Sequence, residues 1–233
     1  MNQEKFIIVT GATRGLGLGC VETLLQKGHR VLATGRDPAK IRANLPDSLH
    51  KKLLVEALDV SSFESLTAFE GRLAELTDKV DVLVNNAGIF VDDRSEAPLA
   101  TPVEDFEKTL RTNLMGPYRL SQIVIPHLKR AGGGRIVNVS SGMGQLAQMG
   151  TASPAYRISK TALNGLTATL AASLRSENIL VNSVCPGWVK TDMGGAGASR
   201  TLSQGVDSIL WAVEIPANGP TGGFFRDGKP LEW

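Results

Sequence analysis

Two side chains in the second half of this 233-residue chain, Tyr156 and Lys160, have the types and spacing for proton transfer at an oxygen. Four residues apart in a helical pattern, they project from one helix face. A phenol with a reference pKa of about 10 is a poor base at neutral pH, and a close ammonium favours the phenolate. Upstream, the apolar run Arg135–Val139 leads into Ser140 and Ser141, where a hydroxyl could reach a substrate oxygen. Alone, a Tyr-x-x-x-Lys pair is better read as an exposed helix turn. Its meaning depends on what accompanies it.

The first companion is a glycine turn, Thr10-Gly11-Ala12-Thr13-Arg14-Gly15-Leu16-Gly17, between an apolar run and an amphipathic stretch. Glycines at a strand-to-helix turn permit backbone angles that a Cβ forbids and let the peptide approach a pyrophosphate closely. The helix N-terminus adds free N–H groups and partial positive charge for that anion. The spacing of these glycines differs from the one-then-two spacing of the common dinucleotide fingerprint. At the end of the second apolar run stands Thr34-Gly35-Arg36-Asp37. A carboxylate there would accept bonds from an adenosine ribose, whereas a guanidinium fits a 2′-phosphate. Arg36, with Arg14 as a second positive charge, favours NADP(H) over NAD(H); Asp37 remains as a candidate ribose acceptor.

These residues need a frame. Seven strands are predicted, Phe6–Thr10, Arg30–Thr34, Leu53–Ala57, Val80–Asn85, Gly134–Ser140, Ile179–Val184 and Gly222–Phe225, with helices over Leu16–Lys27, Phe63–Leu76, Val103–Arg130 and Ala155–Ser176. Short apolar strands with few polar residues suit a sheet covered on both faces, and the alternation argues for right-handed crossovers. The expected fold is α/β: a single doubly wound Rossmann-type domain over residues 1–233, with a mainly parallel seven-stranded sheet and helices on both faces. The glycine-rich segment at about 190–205 is expected to form a loop over a substrate pocket, because ligands in open α/β sheets bind beyond the strands' C-terminal ends.

Composition narrows the function classes. A net charge of +2 without a basic run argues against nucleic acid, and no apolar stretch approaches a membrane span. Cys20 and Cys185 are expected as buried free thiols in a cytoplasmic protein, and three scattered histidines offer no metal site.

Taken together, Thr10-Gly11-x-x-x-Gly15-x-Gly17, Asp59-Val60, Asn85-Asn86-Ala87-Gly88, Asn113, Ser140-Ser141, Tyr156-x-x-x-Lys160 and Pro186-Gly187 resemble the short-chain dehydrogenase/reductase family over essentially the whole chain. Thr-Gly-Arg-Asp after the second strand and Ser-Ser-Gly-Met-Gly before the tyrosine look like carbonyl-reductase-type members. The resemblance implies that Tyr156 gives its proton to the carbonyl oxygen in reduction and removes it in alcohol oxidation. Lys160 would lower the tyrosine pKa and hold the nicotinamide ribose, Ser141 would bond the substrate oxygen, and Asn113 would anchor a water-linked proton relay. Gly11, Thr13, Arg14, Gly15, Leu16 and Gly17 would line the cofactor's phosphates, with Arg36 at its 2′-phosphate. Asp59 and Val60 would meet the adenine, Asn86, Ala87 and Gly88 the adenosine side, and Pro186, Gly187, Val189 and Thr191 the nicotinamide.

The interval of 15 residues from Ser141 to Tyr156 exceeds the family's usual spacing, which would land on Met143. Ser141 is therefore preferred as the donor, with Ser140 second. Leu146, Met149 and Trp188 are candidate walls for an apolar pocket. The expected activity is NADP(H)-dependent reduction of a ketone or aldehyde, or the reverse oxidation of an alcohol. A 3-oxoacyl thioester reductase of fatty-acid synthesis and a non-catalytic NADP(H) sensor are the alternatives. A homodimer or homotetramer, paired through the helices near 103–130 and 155–176, is the assembly the resemblance implies.

Overall fold

In the computed structural model, which describes residues 3–92 and 101–233, one sheet organises the chain. Its strands are β1 (Phe6–Val9), β2 (Arg30–Gly35), β3 (Leu53–Ala57), β4 (Val82–Asn85), β5 (Gly134–Val139), β6 (Ile179–Val184), β7 (Phe224–Arg226) and β8 (Lys229–Pro230). Their order is β3-β2-β1-β4-β5-β6-β7-β8, parallel throughout except for the antiparallel pair β7–β8. Sequence order reverses between β1 and β4, which opens a crevice beyond their C-terminal ends.

Alternation along β1 shows why both faces are covered. Ile7 and Val9 face one apolar layer; Phe6 and Ile8 face the other. The first layer holds Cys20, Val21 and Leu24 of α1 (Gly15–Gln26), Ile41 of α2 (Pro38–Ala43), and Val206, Ile209 and Val213 of α7 (Leu202–Glu214). The second holds Phe69 and Leu73 of α3 (Phe63–Leu76), Leu120 and Val124 of α5 (Gly116–Arg130), and Leu174 of α6 (Pro154–Leu174). The eight-residue α4 (Val103–Leu110) precedes α5.

A buried polar chain runs through the second layer. Asn85 Nδ2 donates to Asn138 Oδ1 at 2.8 Å, and Asn138 Nδ2 donates to Thr167 Oγ1 at 2.8 Å. Thr167 Oγ1 lies 2.8 Å from Ser183 Oγ. Buried polar groups without partners are costly, so this chain fixes how α6 seats on β4, β5 and β6.

The sheet has eight strands rather than seven. The eighth follows a two-residue turn, Asp227-Gly228, with φ of 52° and 74°. Asp-Gly with both residues at positive φ is the turn whose twist matches a hairpin. The short helix α2 and the helix α7 also stand outside the elements expected from periodicity. α7 begins inside the segment expected as a loop: Thr201 accepts from the Gln204 N–H, and the Gln204 side chain accepts from the Thr201 N–H. That reciprocal pair is a capping box. The single helix expected over Val103–Arg130 is interrupted by a π-helical turn, Arg111–Met115. No helix among the described residues is long and apolar enough to cross a membrane.

Gly228→Ala tests the hairpin, since a Cβ there would sit at positive φ and 2.9 Å from Trp211 Nε1. We expect a loss of about 1–2 kcal/mol, read as a thermal midpoint lower by several degrees than that of the parent protein.

Candidate active site

The glycine turn after β1 is built by contact as much as by flexibility. Gly11 has φ of +65°, and a Cβ on it would stand 2.8 Å from Ala87 Cα. A Cβ on Gly17 would press on the Gly11 carbonyl and lie 2.5 Å from Asn86 Nδ2. The segment after β4 clamps the turn. Asn86 Nδ2 donates to the Thr10 and Gly11 carbonyls at 2.8 and 3.2 Å, while the Asn86 and Ala87 N–H groups donate to Thr10 Oγ1. Helix α1 then starts from Arg14 with no side-chain cap and no acidic residue in its first turn. Its first N–H groups are thus left to an outside acceptor, which suits an anion.

A cavity of about 950 Å3 lies over this turn and the C-terminal ends of the strands. That is ample for a dinucleotide's reactive half and a small substrate. It brings together Gly11, Thr13, Arg14, Gly15, Leu16, Gly17, Arg36, Asp59, Val60, Asn86, Ala87, Gly88, Ser141, Tyr156, Lys160, Pro186, Gly187, Val189 and Thr191. Asn113 stands apart, fully buried behind the wall.

Arg36 is exposed at the end of β2 and lines the cavity. Asp37 does not compete with it. Its carboxylate caps α2, accepting from the Lys40 N–H at 3.3 Å with Lys40 Nζ at 3.6 Å. Arg14 pairs with Asp192 of the segment after β6, an exposed ion pair across the cavity. Asp59 Oδ1 accepts from the N–H and hydroxyl of Ser61, while Ser62 is the residue that caps α3.

Tyr156 and Lys160 lie one turn apart on α6, both buried. Lys160 Nζ is 5.7 Å from the centroid of the Tyr156 ring and donates to the Val139 carbonyl at 2.8 Å. Burial pushes the Lys160 ammonium down to a pKa of about 8. The charge survives near neutrality because the Val139 carbonyl and the aromatic ring replace part of its water. Phe90 stacks on the Tyr156 ring, centroids 4.4 Å apart and planes at 12°.

Three further contacts place this helix turn. Asp92, just after β4, is buried and accepts from the Tyr156 N–H at 2.8 Å, capping α6 from outside. Asn113 Oδ1 accepts from the Ile89 N–H, and its Nδ2 donates to the Ile89 carbonyl at 2.9 Å and to Ser159 Oγ at 3.0 Å. Ser159 in turn donates to the Tyr156 carbonyl at 2.7 Å. The amide of Asn113 therefore joins the π-helical turn to both the segment after β4 and α6. That reach is a reason for the widened turn at this point.

Ser140 is buried, with its hydroxyl 3.4 Å from the Lys160 carbonyl. Ser141 Oγ accepts from the Met143 N–H at 3.2 Å and faces the cavity. Trp188 lines the cavity as expected, but Leu146 and Met149 do not; they are exposed at 65% and 41% on the loop outside it. The loop is turned by the 3-10 segments Gly142–Gly144 and Leu146–Gln148, and the Ala147 N–H donates to the Trp233 carbonyl. The apolar wall is supplied instead by Phe90, Met143, Met193 and Leu202, with Trp188. Phe90, Asp92 and Arg226 escaped sequence reasoning because none stands in a spaced motif. Asn138 and Thr167, whose side chains seat α6, carried no signal beyond being polar in apolar runs.

A family model described as short chain dehydrogenase matches residues 5–200. The chain belongs to the short-chain dehydrogenase family. Among relatives of this oxidoreductase family, a 3-oxoacyl-(acyl-carrier-protein) reductase FabG of Aquifex aeolicus is 35% identical over 195 residues, covering 82% of this chain and 76% of that protein. An NADPH-bound carbonyl reductase from chicken fatty liver superposes over 100% of both chains with a TM-score of 0.89 and 30% identity. Carbonyl reductase Sniffer of Drosophila melanogaster gives the same TM-score and identity over 99% of this chain and 100% of its own.

The clamped glycine turn of this short-chain dehydrogenase makes a direct test available. Gly17→Ala should force the Gly11 carbonyl and Asn86 apart and weaken nicotinamide dinucleotide binding by tenfold or more, as measured by fluorescence titration. Unchanged binding would show that the turn tolerates a methyl and that the close approach is not required.

Proposed function

We propose that this protein is an NADP(H)-dependent carbonyl reductase, acting on a ketone or aldehyde with Tyr156 as the proton donor. The observation that carries the reading is the buried Tyr156–Lys160 pair on the wall of the cavity that the glycine turn and Ser141 also line. The residues present fit a phosphorylated dinucleotide. The α1 N-terminus is uncapped, Gly11 and Gly17 allow close backbone approach, and Arg36 is exposed while Asp37 is occupied as a helix cap. The carbonyl reductase from chicken fatty liver, which has NADPH bound, supports the same choice.

When bound, NADPH supplies the hydride that adds to the carbonyl carbon. Ser141 donates a hydrogen bond to the carbonyl oxygen and holds it near the phenol. Tyr156 transfers its proton to that oxygen as negative charge develops there, which is general acid catalysis by a positioned group. The Lys160 ammonium stabilises the negative charge left on the Tyr156 oxygen by Coulomb attraction, strengthened by the dry surroundings. Phe90, stacked on the Tyr156 ring, keeps water from that face of the phenol. Alcohol oxidation uses the same groups in reverse.

A second reading, reduction of 3-oxoacyl thioesters, draws on the FabG relative. The apolar wall suits a free small carbonyl compound equally well, and the full-length structural likeness to carbonyl reductases favours that substrate class. Oxidation of NADPH in the presence of ketones, aldehydes, quinones and 3-oxoacyl thioesters decides between them.

Tyr156→Phe should lower kcat by at least 1,000-fold while leaving NADPH affinity nearly unchanged; this follows from losing the proton and keeping the ring (about 4 kcal/mol). Substantial residual turnover would overturn the assigned acid. Arg36→Leu should raise the KM for NADPH by about 10- to 100-fold and leave that for NADH almost unaltered, as expected for a charge-assisted phosphate contact. Equal losses for both would remove the phosphate contact.

The Lys160 shift sets the pH dependence. Its folded-state pKa lies below the usual lysine value, so the ammonium is present below pH of about 8 and is lost as pH rises through it. Reductive kcat/KM should therefore fall with pH across that value, and the break should vanish in Lys160→Met. A profile flat from pH 7 to 9.5 would contradict the role given to the ammonium.

A further inference from the structure

The same cavity contains a guanidinium for which the reaction above has no use. Arg226, the last residue of β7, lines it beside Gly142 and Cys185. The hairpin turn at Asp227-Gly228 fixes its strand position, where it pairs with Lys229. Nη2 donates to Cys185 Sγ at 3.0 Å, a weak acceptor for a full positive charge. Nε is buried and has no hydrogen-bond partner.

No carboxylate among the described residues lies within 4.0 Å of Arg226. The adjacent Asp227 acts on Arg226 only as a weak Coulombic neighbour, since both its oxygens accept from Arg200, at 2.9 and 2.7 Å. Partly buried charge without a counter-charge is unfavourable unless something else supplies one. Arg226 lies next to the Ser141–Met143 turn, and Lys160 is the charged residue of α6 that shares the cavity. The acidic residues in the lining, Asp59 and Asp192, belong to other parts of it: Asp59 precedes α3 and Asp192 is paired with Arg14.

We infer that Arg226 is a specificity residue that binds a carboxylate on the substrate, so that the preferred substrates are oxo acids rather than neutral ketones and aldehydes. The inference rests on the carbonyl-reductase reading and narrows it. A planar guanidinium offers two parallel N–H donors to a carboxylate, and the end-on fork open here is that of Nη1, which is not sealed off, with the second hydrogen of Nη2. The apolar residues Phe90, Trp188 and Met193 then hold the carbon chain between the carboxylate and the reacting carbonyl.

The test compares the positional isomers of oxohexanoate with their methyl esters, using NADPH and the wild-type, Arg226→Met and Arg226→Lys proteins. For at least one isomer, wild type should favour the acid over the ester by about 10- to 100-fold in kcat/KM, the range that a charge-assisted bidentate bond supplies. The acid-to-ester ratio should collapse to about one in Arg226→Met, mainly through KM, and be partly kept in Arg226→Lys. Wild type showing no preference for any acid, or a preference that persists in Arg226→Met, overturns the inference.

If no carbonyl compound is turned over at all, the carbonyl-reductase reading fails, and binding still decides this one. Calorimetric titration of the wild-type protein with hexanoate should then show binding that Arg226→Met lacks and that methyl hexanoate does not reproduce. Absence of hexanoate binding to wild type would overturn the carboxylate site.

Discussion

Holding an ammonium out of water is the constraint on which this site depends. Lys160 is 4% exposed and has one carbonyl, that of Val139, as its hydrogen-bond acceptor. Several kcal/mol of lost hydration must be offset by that bond and by the Tyr156 ring, and both act only at short range. A small displacement of α6 along its axis would separate Nζ from Val139 and leave the charge unsupported. The polar chain Asn85–Asn138–Thr167–Ser183 and the Asp92 cap on Tyr156 therefore read as parts of one requirement. Apolar layers tolerate small slips; a directional polar chain does not.

The same logic divides the molecule between its two ends of chemistry. The cofactor end is made of backbone: an uncapped helix start, a glycine turn and the Asn86 amide that holds it. The reacting end is made of side chains on a helix seated against β5 and β6. Asn113 links the two, because its amide bonds both the segment after β4 and Ser159 of α6. Relative placement of the glycine turn and the Tyr156 phenol is thus set by side-chain amides, those of Asn86 and Asn113.

Residue type and spacing alone make the first seven strands, the glycine turn and the Tyr156–Lys160 pair legible. A short continuous apolar run is a strong signal over β1, where each neighbour faces a different core layer. It fails where a side chain works through a partner distant in sequence. Asp92 and Tyr156 are 64 residues apart, and Asn138 and Thr167 are 29 apart, so neither pairing shows in local pattern. Other misses had local signals: Thr201 followed by Gln204 marks the start of α7, and Asp227-Gly228 marks the hairpin that adds β8. Both were masked by glycine-rich neighbours that suggest loop. The π-helical turn at Arg111–Met115 has no such signature, since it serves the contacts of Asn113.

The ion pair between Arg14 and Asp192 has a kinetic meaning of its own. It joins the glycine turn to the segment after β6, both of which line the cavity. Both side chains are about 70% exposed. Such a pair contributes at most about 1 kcal/mol and is screened by salt. A closure this weak parts by thermal fluctuation, without disturbing the buried amides that hold the site. Rising ionic strength therefore weakens this one link, while the buried hydrogen bonds of Asn113 are screened far less.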